Sequence, residues 1–240
     1  MSPSQAFSHM TAAELWGLPL PIRRDDAPLP DLHVAALRGR EPRRPGIVGH
    51  RVRGVTCRIL RGLVVVDPLV AWAQSAAYLE LDDLVSMGDA LLGRWPKEPA
   101  ARHHRPEALT AAVDARAGAR GAVTLREALA LSRPRVRSPR ETALRLLLQR
   151  AGLPEPSLNV DVYEGGVWLG QPDLVYWEAK VAVEYEGDHH RASRRTFEGD
   201  ILRRERFSDA GWHMIRVTSG DMELRSQELV ARVSRWVLGR

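Results

Sequence analysis

Cysteine occurs once in the 240 residues, at Cys57. A single thiol excludes an internal disulfide and any cysteine-based zinc cluster, and it suits a reducing, cytoplasmic setting. Lysine is almost as scarce: apart from Lys97 and Lys180, all 35 basic side chains are arginine. Long apolar runs are missing too. The richest stretch, GLVVVDPLVAWA, is broken by Asp67 and Pro68, which argues against a membrane span. The start, MSPSQAFSHM, lacks a charged segment followed by an apolar one, so no secretory signal is expected.

What remains is an ordinary globular composition, 44% hydrophobic, sufficient for one large domain or two small ones. The net charge is +5 and the pI about 9.9. Arginine is a good fork for phosphate, although a GC-rich coding sequence produces the same bias. The charge is uneven. Residues 138–240 hold 15 basic against 16 acidic side chains, whereas residues 1–137 hold 20 against 14. A basic half beside an acid-centred half suits a polyanion partner. No internal repeat is visible. The clearest boundary is ALSRPRVRSPRET, with two prolines and four arginines between helical patterns.

The first half reads as α+β. Thr11 and Glu14 have capping-box spacing at a short helix. LHVAAL, GIVGHRV, TCRIL and LVVVD read as strands. Asp67 followed by Pro68 marks a helix start, and helices are expected over 68–78, 81–92, 106–117 and 123–131. The turn RGREPRR is either a nucleic-acid contact or a solvated basic loop. In the second half a helix starts at Pro139, with Leu144, Leu147, Leu148 and Ala151 on one face. LNVDVYE reads as one strand, VWLGQPDLVY as one or two, and AVEYEG as another. A helix over 193–209, a strand WHMIRVT and a last helix over 225–237 complete an α-β-β-β-α-β-α order.

The stretch PDLVYWEAKVAVEYEGDHH, residues 172–190, poses the functional question. PD followed by EAK is a literal PD…ExK nuclease signature. Yet Asp173 and Glu178 stand five residues apart, about 16–17 Å along one strand and on opposite faces. WEAK serves better as a turn. A hairpin folded there pairs Tyr176 with Val181, Val175 with Ala182, Leu174 with Val183 and Asp173 with Glu184. Asp173, Glu184 and Glu186 then share one face. Opposed carboxylates repel unless a cation lies between them, and oxygen ligands suit Mg2+ or Mn2+. The competing interpretation is an amphipathic hairpin with an acidic solvent face. His189 and His190 point apart, so one of them can lie over the acids as a proton donor or acceptor.

From Ser138 to about Val237 the chain resembles the Vsr-like (very-short-patch-repair-like) endonuclease domain of the PD-(D/E)XK nuclease superfamily. The likeness rests on SPRETALRLLLQRAGLPEPSLNV, GQPDLVY, VAVEYEGDHHR and RRERFSDAGWHMIRVT. It implies a restriction-endonuclease-like α/β fold, a central mixed sheet flanked by helices, with a divalent-metal phosphodiesterase site. By resemblance Asp173 is the motif aspartate and Glu184 the acid on the next strand. Glu186 occupies the position of the ExK lysine, as in that group. His190 matches a histidine three residues after the glycine, and Glu141 a first-helix glutamate. The first half resembles the C-terminal part of AbiEi-type antitoxin proteins through FSHMTAAELWGLPLP, GHRV and DLVSMGDALLGR. The expected organisation is thus an α+β antitoxin-like domain over 1–133 and an endonuclease domain over 134–240.

These readings lead to a Mg2+- or Mn2+-dependent DNA endonuclease of the cytoplasm, in repair or in defence against mobile elements, without a membrane partner. Asp173, Glu184 and Glu186 are the expected metal ligands, with Glu186 also a water-activating base. His190 is expected to protonate the leaving group or position the phosphate, and Glu141 to bind a second metal, orient a water or simply favour the helix start. Arg191, Arg194 and Arg195 are expected on backbone phosphates. Trp168, Trp177 and Trp212 are expected to pack cores or turns rather than stack on bases. A protein partner is open for the first half. The alternatives are a non-catalytic DNA-binding or antitoxin-like regulator on a degenerate nuclease fold, and an RNA or structure-specific nuclease.

Overall fold

A computed structural model describes residues 4–22, 30–187 and 194–239, with side chains for all of these except 194–201. The chain forms two compact units, Met1–Ser138 and Pro139–Arg240. The division falls inside the basic, proline-containing stretch and five residues beyond the 133/134 boundary read from sequence. No described helix is long and apolar enough to cross a membrane.

The first unit contains β1 (Gln5–Phe7), α1 (His9–Leu15), β2 (Leu32–Ala36), β3 (Ile47–Arg51), β4 (Cys57–Leu60) and β5 (Leu63–Val66). Four helices follow: α2 (Pro68–Ser75), α3 (Leu81–Leu92), α4 (Pro106–Asp114) and α5 (Ala122–Leu131). Its mixed sheet has the order β3-β2-β1-β5-β4. Asp67 caps α2 as expected, accepting the Leu69 N–H at 3.1 Å, with Pro68 in the first helical position. The capping box expected at Thr11 does not form. Helix α1 starts three residues earlier, with Ser8 rather than Thr11 in the capping position, and the Thr11 hydroxyl instead accepts the His33 N–H at 2.8 Å. Fully buried Trp16, Trp72, Leu84, Met87, Leu91, Leu109 and Leu125 fill the core. The indoles are satisfied there: Trp16 donates to the Val66 carbonyl at 2.7 Å and Trp72 to that of Leu84 at 2.9 Å. Gly88 permits close packing in α3, because a Cβ there would stand 2.1 Å from the Ser132 hydroxyl.

The second unit runs α6 (Pro139–Arg150), β6 (Ser157–Leu158), β7 (Val162–Glu164), β8 (Val167–Gly170), β9 (Leu174–Tyr176) and β10 (Val181–Tyr185). It closes with α7 (Arg194–Asp209), β11 (His213–Val217), α8 (Ser219–Leu224) and α9 (Ser226–Val237). The expected single strand over 158–164 is two. Asn159 adopts φ +47°, a left-handed conformation that asparagine tolerates, and this breaks the run. Strands β7 and β8 pair separately as a hairpin, while the main sheet is mixed, in the order β11-β10-β9-β6. Strands β10 and β11 are parallel and joined through α7, whereas β9 runs antiparallel to β10. The additional helix α8 begins with a capping box between Thr218 and Asp221.

Helices flank this sheet. Helices α6 and α9 contact each other, α6 packs on β10 and α9 on β11, and α7 packs on β11 and β8. Val175 and Ala182 of the sheet join Val162, Leu169, Phe207 and Trp212 in one apolar cluster. Alternation puts Leu174, Val181 and Val183 on the opposite face, also buried. Burial on both faces explains the near-continuous apolar character of β9 and β10. Helix α6 differs from the expected single stripe. Leu144, Leu146 and Leu148 are buried with Thr142 and Arg145, while Ala151 is exposed. The buried Arg145 guanidinium lies 3.5 Å from Glu155.

Candidate metal and phosphodiester site

The turn Trp177–Lys180 closes the β9–β10 hairpin, with Lys180 at φ +50° and its N–H donating to the Trp177 carbonyl at 3.1 Å. The register is Tyr176–Val181, Val175–Ala182 and Leu174–Val183. The four-residue turn and the alternation of side chains predict these three pairs. The regular ladder ends there, so Asp173 and Glu184 occupy the next position outward, at the carboxyl end of β10. Both lie in phase with Val175 and Ala182. The acids therefore form the rim of an apolar layer rather than an open acidic face.

Asp173 is held from two sides. Its carboxylate accepts the Tyr185 N–H at 2.8 Å, and its own carbonyl accepts the Asn159 N–H at 3.0 Å. Asn159, 2% exposed, also donates its amide N–H to Glu141 at 2.8 Å. The bent backbone at Asn159 thus ties the first turn of α6 to the strand end. Burial pushes the Asp173 carboxyl up to about 7. The Glu141 and Glu184 charges add to the rise, against the Tyr185 N–H and the Arg203 guanidinium. Glu184 lies 2.6 Å from the Arg203 guanidinium of α7. Glu186 pairs with Arg216 of β11, and its N–H donates to the Val217 carbonyl at 2.7 Å.

The structure brings Asp173, Glu184 and Glu141 into one electrostatic neighbourhood. It does not gather three of the four acids, Glu186 included, with an oxygen each within 4.8 Å of one another. Arg203 and Arg216 each pair with one glutamate of the set. His190 and Arg191 lie outside the described residues. Arg194 and Arg195 begin α7, and their side chains lie outside the described set. Lys180 is remote from the acids, bound to Glu164 at 2.9 Å. Trp212 is buried and donates to Glu164 at 3.2 Å. Trp177 donates to Ser157 at 3.0 Å and meets Trp212 edge-to-face. Trp168 donates to Asp161 at 2.9 Å, with Arg206 over its ring.

Two positioning residues, Asn159 and Arg203, escape a reading by pattern. Asn159 has the ordinary look of a strand residue, and Arg203 that of one charge among several on an exposed helix. A weak signal for Arg203 exists: it lies seven residues before Ala210 on the same helix face as the buried Phe207.

The chain is 25% identical over 190 residues to two uncharacterized proteins of Mycobacterium tuberculosis, one from strain CDC 1551 / Oshkosh and one from strain ATCC 25618 / H37Rv. In each case the likeness covers 79% of this chain and 68% of the relative, and therefore extends into both units. No family model and no solved structure matches the chain.

Proposed function

We propose that the Pro139–Arg240 unit is a Mg2+- or Mn2+-dependent DNA endonuclease of the Vsr-like type on a restriction-endonuclease-like fold. In this proposal the Met1–Ser138 unit is its AbiEi-antitoxin-like companion, meeting DNA or a protein partner. The observation that carries the reading is the Asp173 carboxyl. It is buried beside Glu141 and Glu184 at the carboxyl end of β10, where the chain leaves for its crossover to parallel β11. Ligand sites in open α/β sheets favour such strand ends. A cation beside these acids would offset the burial, and the added Glu141 and Glu184 charges, that hold Asp173 high.

The donor set fits a hard ion. Mg2+ is commonly held by one or two carboxylates, with water and substrate phosphate completing its shell, and Asp173 and Glu184 supply two. When bound, the metal lowers the pKa of water and polarises a phosphoryl oxygen. The chain's own groups do the rest. The Tyr185 N–H and the Asn159 bridge fix the orientation of Asp173 and Glu141. Arg203 holds Glu184 and brings positive charge to the place where a phosphate would approach. Glu186 is the base of this proposal once released from Arg216. His190 protonates the leaving oxygen, and Arg191, Arg194 and Arg195 grip the backbone.

A second reading draws on one contact. The Arg203 guanidinium already provides Glu184 with a cation, as expected of a DNA-binding or antitoxin-like regulator on a degenerate nuclease fold. Supercoiled plasmid with Mg2+ or Mn2+ separates the two. The nuclease nicks or linearises it, and both EDTA and Asp173→Ala stop the reaction. Intact plasmid together with no metal uptake by calorimetry supports the regulator instead.

A further inference from the structure

The Met1–Ser138 unit contains a histidine cluster to which the nuclease reading assigns no task. His9 opens α1, His33 lies in β2 and His50 in neighbouring β3. One ligand atom from each lies within 4.8 Å of the others. His33 Nδ1 and His50 Nε2 stand 3.0 Å apart. His9 Nδ1 is 3.0 Å from the Ser8 hydroxyl, which leaves its Nε2 for a ligand. The cluster has a rigid frame: the His9 N–H donates to buried Gln74 at 3.2 Å, and the His33 N–H to Thr11. Tyr78 closes one side, its ring edge-on to all three imidazoles.

Burial favours the uncharged form of each imidazole. Burial lowers His9 to about 2 and His33 to about 4, with the His50 charge adding to both, and it lowers His50 as well. Neutral imidazole is the metal-binding form. Three such rings, with no carboxylate among the three ligands, suit Zn2+ or a similar first-row ion rather than Mg2+. The His50 ring stacks on His9 at 3.7 Å and 21° and on His33 at 5.1 Å and 13°, while His9 is tilted 34° from His33. Convergence on one ion therefore needs rotation about the last side-chain torsion, which is a broad, soft one for histidine.

His9 and His50 also line a cleft of about 600 Å³ with Arg51, Arg53, Thr56 and Arg116. The Arg116 Nε is buried and meets no hydrogen-bond acceptor among the described residues. Three ligands with one open side are the arrangement of reactive zinc centres, whereas structural sites close with four. The arginines make that open side a place for an oxyanion.

We propose that His9, His33 and His50 form a Zn2+-class metal site whose fourth position opens into the arginine-lined cleft and accepts water or a phosphate-like oxyanion. None of its three ligands belongs to the acid set of the second unit.

The test uses the full chain, stripped with chelator and titrated with Zn2+ by calorimetry and with Co2+ by visible absorption. His50 is the residue to change, because it is half-buried on an edge strand and His50→Gln keeps the sheet intact; far-UV circular dichroism confirms the fold. One Zn2+ per chain is expected, with the intense Co2+ bands of a four-coordinate site. His50→Gln should weaken binding at least about 100-fold, since even the partners behind a ligand contribute 10–100-fold. Asp173→Asn should leave Zn2+ binding unchanged. Inorganic phosphate should shift the Co2+ bands, and bands indifferent to it overturn the open fourth position. No Zn2+ uptake, or uptake that survives His50→Gln and is lost in Asp173→Asn, overturns the site.

Discussion

In the second unit, carboxylates hang from strand ends and a helix start, and Arg203 and Arg216 each hold one of them. In the first unit, the His50 ring stacks on both His9 and His33, Tyr78 stands edge-on to all three, and arginines line the cleft beside them. The two clusters respond to burial in opposite directions. Desolvation raises Asp173 and lowers the histidines, so each group moves toward its neutral form. The consequences for metal binding differ. A neutral imidazole is ready to coordinate, whereas a protonated Asp173 must lose its proton first. On the two proposals, a cation at the carboxylates must displace a proton, whereas one at the histidines must turn the rings to converge.

The largest expected effect falls on Asp173. Asp173→Ala should slow metal-dependent plasmid cleavage by about 1,000-fold or more, because the metal contributes several kcal/mol to charge stabilisation. Initial rates of supercoil loss measure this, and a rate within a few-fold of wild type would remove Asp173 from the site.

The pH dependence of stability comes next. Burial pushes the Asp173 carboxyl from its ordinary 3.8 up to about 7 in the fold. Its contribution is therefore fully present below pH 3.8 and is lost as the pH rises toward 7, a change of about 4 kcal/mol at 1.36 kcal/mol per unit. Thermal unfolding of wild type minus that of Asp173→Asn isolates this slope. Mn2+ should flatten it; a slope indifferent to Mn2+ would break the link between Asp173 and a cation.

A smaller effect is expected at Arg203. Arg203→Gln frees Glu184 and should lower cleavage by 10–100-fold, the usual range for a residue that orients a metal ligand. An Arg203→Gln protein that gains tight Mn2+ binding absent from wild type would instead identify the guanidinium as the resident cation of a regulator. The smallest effect belongs to Lys180. Its exposed pair with Glu164 stands apart from the acids, and exposed ion pairs contribute little. Lys180→Ala should leave both cleavage rate and melting temperature unchanged. Loss of cleavage would restore the literal PD…ExK reading.

The hairpin was legible because two independent constraints agree there: alternation along both strands, and a turn of fixed length between them. The start of α2 was legible because Asp67 and Pro68 each fit only one place in a helix. Strand β1 was not, since three residues are too few to display a period. The break at Asn159 was hidden because a left-handed residue leaves no mark in the hydrophobic pattern. The histidine cluster was hidden for a different reason. His9, His33 and His50 meet only through the ladder that sets β2 beside both β1 and β3, and no local spacing announces it.

A metal competition on the full chain tests the two-site account most directly. Mn2+ and Zn2+ are titrated into wild type, Asp173→Asn and His50→Gln, and the bound stoichiometry of each ion is read. The account predicts that Asp173→Asn loses Mn2+ and keeps Zn2+, and that His50→Gln loses Zn2+ and keeps Mn2+. Both ions lost together in either variant, or neither bound by wild type, would contradict it.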